Sequence, residues 1–388
     1  MTRHYWTLKY RAHPLRMRST MSGTATPPFR ADHVGSLLRP QELKDARVRA
    51  ARGEIDRAVL RAVEDKCIRE VVALQESVGL QSITDGEFRR DWWHIDFIRG
   101  FDGVDTSTES FGVKFQGVGE QPPLMRVTRK IRRTRPNMVD HFAFLKSVTK
   151  RTPKFCLPSP VMLHARGDRA ALKATYPDVD EFWSDLTRAY REEIRALVDA
   201  GCRYLQIDDT TVAGNCDPRV RDQVQAVGDD PDKLPAIYAD AVNAAIRELP
   251  SGVTVAIHTC RGNFKSTWMT SGGYDLVAET VFTRLGVHAF FLEYDTVRAG
   301  GFEPLRFIPK GKKVVLGLIS SKFPELEDKD DLKRRIEAAA KYVPLENLCL
   351  SPQCGFSSTH HGNLVTVENQ RRKLELALEV AREVWGGA

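Results

Sequence analysis

Residues 179–208 read VDEFWSDLTRAYREEIRALVDAGCRYLQID. The first part of this stretch places apolar residues at helical spacing, and the last five residues form a short strand-like run that ends in Asp208. A long amphipathic helix that leads into a short buried strand is the repeating unit of a parallel sheet. The stretch therefore predicts an α/β protein.

The same alternation continues on both sides, from about residue 28 to the end of the chain. Eight strands are predicted, at residues 29–35, 81–86, 154–158, 204–208, 254–258, 289–293, 313–318 and 347–351. Amphipathic helices are predicted at residues 55–78, 179–200, 235–248, 274–285, 330–342 and 367–384. Eight parallel strands that alternate with helices predict a single (β/α)8 TIM barrel.

One region departs from the alternation. Residues 102–150 fit no simple strand–helix unit, so we expect an insertion after strand two within one domain spanning 29–388. The region contains a basic run, namely Arg126, Arg129, Lys130, Arg132, Arg133 and Arg135. This run is interpreted as a solvated hairpin strand, because Val127 and Ile131 alternate with the charges. The alternative is an anion-binding edge for a polyanionic substrate tail.

Composition excludes several protein classes. The 388 residues are 42% hydrophobic and 28% charged, and the chain contains no apolar run of the length that a membrane span needs, so we expect a soluble, cytoplasmic protein. The net charge is +7, but residues 1–28 carry five basic and no acidic residues, which argues against nucleic-acid binding by the rest. Residues 1–28 are expected to be a disordered tail, with a transit peptide as the alternative. Seven scattered cysteines and no secretory signal argue against disulfides.

Functional residues of such barrels lie at the carboxyl ends of the strands. Polar side chains follow six of the predicted strands: His33 and Ser36, Asp85 and Glu87, Asp208 and Asp209, His258 and Cys260, Glu293, and Cys354. Imidazole, thiolate and carboxylate are the ligands that catalytic zinc prefers. His258 and Cys260 are two residues apart, so both point to one face of an extended strand. Together with Glu293 and Cys354 they predict a zinc site.

Several of these segments resemble a known family. The motifs IHTC (257–260), FLE (291–293) and SPQCG (351–355) resemble the zinc-binding motifs of cobalamin-independent methionine synthase, in its catalytic carboxyl-terminal barrel. The resemblance extends to HVGS (33–36), DGE (85–87), SPV (159–161) and LQID (205–208), so it covers nearly all of residues 29–388. It implies a methyltransferase that uses Zn²⁺ to activate the thiol of homocysteine and forms methionine.

The resemblance also implies roles for residues outside the metal site. Val34, Gly35 and Ser36 would form part of an amino-acid cradle, and Glu87 and Asp208 would hold the homocysteine ammonium group. The alternative for Glu87 is an ion pair with a neighbouring arginine in 89–90.

The methyl-donor side differs from the family pattern. The family's strand-seven histidine is absent from GLISSK (317–322), the tryptophan expected after strand three is missing, and Gly214 stands where a carboxylate is expected. His360 and His361 follow Cys354 closely and are candidates for the missing proton donor, because imidazole titrates near neutral pH. The donor, methyl-tetrahydrofolate or another methyl carrier, stays open.

Two other functions are compatible with these residues. A zinc barrel of the epoxyalkane:coenzyme M transferase family would transfer an alkyl group to a different thiol, although Glu87 and Asp208 favour a thiol that carries an ammonium group. A metal-binding or carrier-binding protein without catalysis is the third interpretation. Small-molecule partners are expected in the first two cases, and a homo-oligomer is compatible with all three.

Overall fold

The computed structural model describes residues 26–110 and 122–388. These residues form nine strands: β1 (Ser82–Ile83), β2 (Asp102–Ser110), β3 (Pro123–Arg132), β4 (Thr152–Pro158), β5 (Tyr204–Asp209), β6 (Thr254–Thr259), β7 (Ala289–Glu293), β8 (Lys313–Ile319) and β9 (Leu348–Pro352). Seven of them form one parallel sheet in the order β1-β4-β5-β6-β7-β8-β9. Seven of the eight predicted strands are thereby confirmed, and the chain is an α/β protein.

The predicted first strand, 29–35, is wrong as a regular strand. Only Ala31 forms a parallel bridge, to Leu350 of β9. The Asp32 carboxylate accepts the backbone N–H of His33 at 2.7 Å and that of Phe29 at 3.4 Å, so these N–H groups do not join a strand ladder. Closure of a full eight-stranded barrel therefore stays a prediction.

Thirteen α-helices lie within the described residues. They are α1 (Gln41–Ala51), α2 (Arg57–Val78), α3 (Ile95–Ile98), α4 (Val139–Val148), α5 (Val161–Arg166), α6 (Arg169–Thr175), α7 (Val179–Asp199), α8 (Thr211–Gly214), α9 (Pro218–Ala226), α10 (Leu234–Ile246), α11 (Ala278–Arg284), α12 (Lys329–Ala339) and α13 (Val367–Trp385). All six predicted helices are present, although the fourth is divided into a 3₁₀ turn, Tyr274–Leu276, and α11. The long helices bury one apolar stripe against the sheet, whose strands are buried on both faces.

The region predicted as an insertion contains two different structures. β2 and β3 form an antiparallel ribbon outside the main sheet, whereas α4 packs against β4 and α7. The first four residues of the basic run lie on β3 and the last two follow it. Several of these charges have acidic partners: Arg126 pairs with Asp168 at 3.0 Å, and Lys130 pairs with Glu181 at 2.5 Å. The hairpin interpretation of this run is therefore confirmed.

Two further expectations concern the ends and the environment of the chain. Residues 1–25 of the predicted tail lie outside the described residues. Within the described ranges, no helix is both long enough and apolar enough to cross a bilayer.

Candidate active site

The carboxyl ends of the strands open into a cleft of about 600 Å³, measured with its opening to solvent. Seven of the residues predicted from sequence line this cleft: Val34, Ser36, Glu87, Asp208, His258, Cys260 and Cys354. They come from segments that are more than 300 residues apart in the chain, and the parallel sheet brings them to one edge.

His258, Cys260 and Cys354 form a compact cluster at the base of the cleft. Their ligand atoms all lie within 4.8 Å of one another, and the two sulfur atoms are 3.3 Å apart. All three side chains are buried. Neither ring nitrogen of His258 has a hydrogen-bond partner among the described residues. Buried imidazole nitrogens without partners are costly, and a metal ion would satisfy one of them.

The pKa values of the two thiols in this cluster are shifted in opposite directions. A hydrogen bond with Cys354 holds the pKa of Cys260 well below its ordinary value, and the same contact raises the pKa of Cys354 well above its ordinary value. The Gly262 N–H also donates to Cys260 Sγ at 3.2 Å. Burial lowers the pKa of His258, but Cys260, Asp208 and Glu293 raise it above its ordinary value. The cluster thus already favours one thiolate, the form that binds metal.

Glu293 ends β7 next to this cluster but is held by other groups. One carboxylate oxygen accepts the backbone N–H of Arg261 at 2.8 Å; the other lies 2.8 Å from Arg298 Nη2 and 3.4 Å from Lys322 Nζ. The buried Lys322 and the partly buried Arg298 therefore already pair with the carboxylate that the sequence predicted as a zinc ligand. Glu293 is not part of the compact cluster.

A second cluster contains Glu87, Asp208 and Cys156, whose ligand atoms also lie within 4.8 Å of one another. Burial, together with the charge of Asp208, raises the pKa of Glu87 to about 7, even though Arg90 lowers it. Burial raises the pKa of Asp208 to about 6. One oxygen of Glu87 has no hydrogen-bond partner among the described residues. Two such carboxyl groups form a receptor for a cation.

The alternative interpretation of Glu87, an ion pair with a neighbouring arginine, is also supported by the structure. Arg90 lies 3.6 Å from the Glu87 carboxylate, whereas Arg89 pairs with Asp65 and Glu64 on α2. The ion pair with Arg90 leaves the other oxygen of Glu87 available to a ligand.

The three residues of the segment 34–36, predicted as an amino-acid cradle, differ in how they meet the cleft. The Val34 carbonyl already accepts a hydrogen bond from Gln206 Nε2 at 2.6 Å. Val34 also lines the cleft. Gly35 lies beneath the wall with φ +134°, and a Cβ there would be 2.5 Å from Cys156 Sγ. Gly35 therefore lets the backbone pass close to Cys156, while Ser36 lines the cleft itself.

His360 and His361 lie near the cleft but do not line it. His361 Nδ1 is 3.0 Å from Thr359 Oγ1, and its ring contacts Phe264 and Trp92 at centroid distances of 5.0 and 5.6 Å. The two histidines thus support the aromatic rim of the cleft.

The sequence analysis did not identify several further wall residues, among them Trp92, Trp93, His94, Arg166 and Thr210. The first three belong to the aromatic run WWH (92–94) that follows Glu87, and the other two follow β4 and β5. Their position shortly after strand ends is the signal that could have identified them.

Residues 29–383 match the sequence profile described as the catalytic domain of cobalamin-independent synthase. The chain is 47% identical over 360 residues to the uncharacterized protein YxjH of Bacillus subtilis, with 92% of this chain and 95% of that protein covered. A solved structure from Listeria monocytogenes, named a candidate vitamin-B12-independent methionine synthase, shares 39% identity at a TM-score of 0.75. It covers 93% of this chain and 99% of its own. A 5-methyltetrahydropteroyltriglutamate–homocysteine methyltransferase of Thermotoga petrophila is 22% identical over 366 residues, and the match covers 92% of this chain but only 45% of that protein. This chain belongs to the cobalamin-independent methionine synthase family.

Proposed function

We propose that this methyltransferase moves a methyl group onto the thiol of homocysteine to give methionine, with a zinc ion at the base of the cleft. The observation that carries the proposal is the buried cluster of one imidazole without hydrogen-bond partners and two thiols 3.3 Å apart. We also propose that the bridge at Ala31 marks the eighth position of a closed (β/α)8 barrel, with the β2–β3 ribbon as an insertion.

His258, Cys260 and Cys354 would hold the zinc ion, with Glu293 as the further ligand that the family resemblance implies. Bound zinc lowers the pKa of a coordinated thiol, so that a thiolate nucleophile is available at neutral pH. Because Glu293 already pairs with Arg298 and Lys322, we expect it to contribute least to zinc binding among these four residues.

The amino-acid end of the substrate would lie over Glu87 and Asp208. Both carboxyl groups are buried, and burial is the main cause of their raised pKa values. An ammonium group between them would favour their ionised forms and fix the direction of the thiol relative to the metal cluster. The unpartnered oxygen of Glu87 supplies an acceptor for this group.

On the donor side, the chain must align a methyl group with the sulfur and exclude water from the cleft. Trp92 and Phe264 stack with ring centroids 5.8 Å apart and form part of the wall. His360 and His361 beside this pair remain our candidates for protonating a poor leaving group, because Trp92 contacts both rings.

The experiment compares metal content and thiol binding in the full chain. We expect about one zinc per chain, lost in Cys260→Ser and Cys354→Ser and reduced in Glu293→Gln. Cys202→Ser is the matched control, since Cys202 is buried outside both clusters. Full zinc retention in the Cys260→Ser, Cys354→Ser double variant would contradict the proposal.

Coenzyme M provides the test of the alternative function. A cobalt-substituted sample should change its absorption with homocysteine and not with coenzyme M, because two carboxyl groups repel a sulfonate. The reverse result would favour the epoxyalkane transferase reaction.

A further inference from the structure

The second cluster, Glu87, Cys156 and Asp208, is a set of potential metal ligands separate from the histidine–cysteine cluster. Its donor atoms all lie within 4.8 Å of one another, and none of the three residues is more than 7% exposed. Glu87 and Asp208 line the cleft, through which an ion could enter, and Cys156 does not. One thiol and two carboxyl groups at this spacing can bind a single ion.

Glu87 presents a free donor atom to this cluster. Its Oε2 atom is buried and accepts no hydrogen bond within residues 26–110 and 122–388. The other oxygen, Oε1, is the one that Arg90 approaches. A buried carboxylate oxygen without a partner costs free energy, which a bound cation would recover.

Gln206 holds the other two ligands in place. Its Nε2 atom donates to Asp208 Oδ1 at 2.7 Å and to Cys156 Sγ at 3.7 Å. The Cys156 thiol itself donates to the Val34 carbonyl at 3.1 Å. Side chains that hydrogen-bond to potential ligands fix their direction, as the outer partners of metal sites do.

The charges around the second cluster fit a divalent cation. When ionised, its three donors carry three negative charges. Arg90 lies 3.6 Å from Glu87 and offsets one of them. Lys154 acts on the other two donors but is itself paired with Asp32 at 3.2 Å. His258 also acts on the cluster, although as a zinc ligand it would be neutral. Two negative charges therefore stay unmatched.

We propose that Glu87, Cys156 and Asp208 form a second site for a thiophilic divalent cation such as Zn²⁺ or Co²⁺, and that an ion there excludes the ammonium group of the amino-acid substrate. The competition rests on the proposed function, which assigns the same two carboxyl groups to that ammonium. A mixed set of sulfur and oxygen ligands favours zinc or cobalt over Mg²⁺, which prefers oxygen ligands in an octahedron.

This site is weaker than the histidine–cysteine cluster, because binding must release the Cys156 proton to solvent. Burial raises the pKa of this thiol well above its ordinary value, whereas the first cluster already favours a thiolate. The second site therefore fills only when metal is in excess, and excess metal would reduce substrate binding.

The first measurement adds Co²⁺ to the zinc-loaded full chain. Zinc stays in the first cluster, because it binds such ligands more tightly than cobalt does, so cobalt reports on the second site. We expect one further equivalent with a cobalt–thiolate absorption band. Cys156→Ser should lose the band, and Cys202→Ser should keep it, since Cys202 is buried outside both clusters. Cys156→Ala, which has no donor atom, covers the case in which Cys156→Ser does not fold.

The second measurement is the binding of methionine by calorimetry, because methionine carries the ammonium group but no thiol that would remove cobalt. Saturating cobalt should lower the affinity of the zinc-loaded wild type for methionine by about tenfold or more. The same addition should change the affinity of Cys156→Ser by less than about twofold. Mg²⁺ at the same concentration should leave both proteins unchanged.

The same cobalt–thiolate band in wild type and Cys156→Ser would overturn the site. Equal affinity of wild type for methionine with and without cobalt would overturn the competition, and an equal effect of Mg²⁺ would show that the thiol is not a ligand. If methionine fails to bind while the cobalt band still depends on Cys156, the proposed role of the two carboxyl groups fails and the metal site stands.

Discussion

Glu87 combines a buried carboxyl group, an unpartnered oxygen and a backbone φ of +62°. A non-glycine residue in this conformation costs free energy and persists where the surrounding structure fixes it, as at binding sites. The Asp85 carboxylate fixes it here by accepting the Glu87 N–H at 2.9 Å. Short-range sequence patterns identified Glu87 by its place after a strand but could not predict this conformation.

The raised pKa of Glu87 makes the stability of the substrate-free protein depend on pH. A carboxyl whose pKa rises from 4.5 to about 7 on folding stabilises the folded state below pH 4.5, and this contribution is lost as pH rises through 7. Glu87→Gln removes the titration. The unfolding free energy of wild type should therefore fall relative to Glu87→Gln by on the order of 2 kcal/mol between pH 5 and 8.

Chemical denaturation at several pH values checks this difference. Glu76→Gln on α2 serves as the control, because it changes the same residue type away from both clusters and should follow wild type. Parallel pH profiles for wild type and Glu87→Gln would refute the expected titration.

At the scale of single elements, periodicity predicted the helices and strands well because each unit has one apolar pattern. One failure occurred where a side chain replaced backbone partners, and another where a helix begins as a separate 3₁₀ turn. Asp32 accepts two N–H groups and interrupts the first strand, and the fourth predicted helix is divided after Leu276. A single sequence does not show which side chains will compete with the backbone for its N–H groups. The ion pairs of Glu293 were missed for the same reason, since Lys322 follows a different strand.

Helix α13 gives an element-scale prediction. It packs against β9, the strand that precedes Cys354, and begins with a capping box between Thr366 and Asn369. Thr366→Ala should lower the unfolding free energy by about 1 kcal/mol, because the Asn369 N–H loses its acceptor. Thr366→Ser keeps the oxygen and should retain most of the stability in the same denaturation experiment. Equal losses in both variants would show that the cap does not contribute.

At the scale of the whole molecule, a buried polar cluster ties the start of the described chain to the sheet. Lys154 of β4 lies 3.2 Å from the Asp32 carboxylate, which also accepts Tyr204 Oη at 2.9 Å and Ser82 Oγ at 2.8 Å. Burial raises the pKa of Asp32, but Lys154, His33 and Ser82 together bring it below its ordinary value. The cluster thus connects three strands through one carboxylate.

Lys154→Met should destabilise the fold by about 3 to 5 kcal/mol, because it leaves the Asp32 charge buried without its cation. The double variant Asp32→Asn, Lys154→Met removes that charge and should be less destabilised than the single variant. Lys329→Met, at an exposed pair with Glu379, should leave the stability close to that of wild type, because water screens this pair. Thermal unfolding of the four proteins compares these values, and a double variant worse than the single one would contradict the explanation.

The distance along the chain between Cys260 and Cys354 has a consequence for folding. The two residues are 94 positions apart, yet their sulfur atoms are 3.3 Å apart. An ion bound by both acts as a reversible cross-link that an unfolded chain can form only by closing a long loop. A covalent link closing a loop of about 100 residues contributes roughly 4 to 5 kcal/mol in the chain-entropy model. Chelation should therefore lower the unfolding midpoint of wild type by several degrees and leave Cys354→Ser unchanged, so that metal supply would control the lifetime of the folded chain as well as its chemistry.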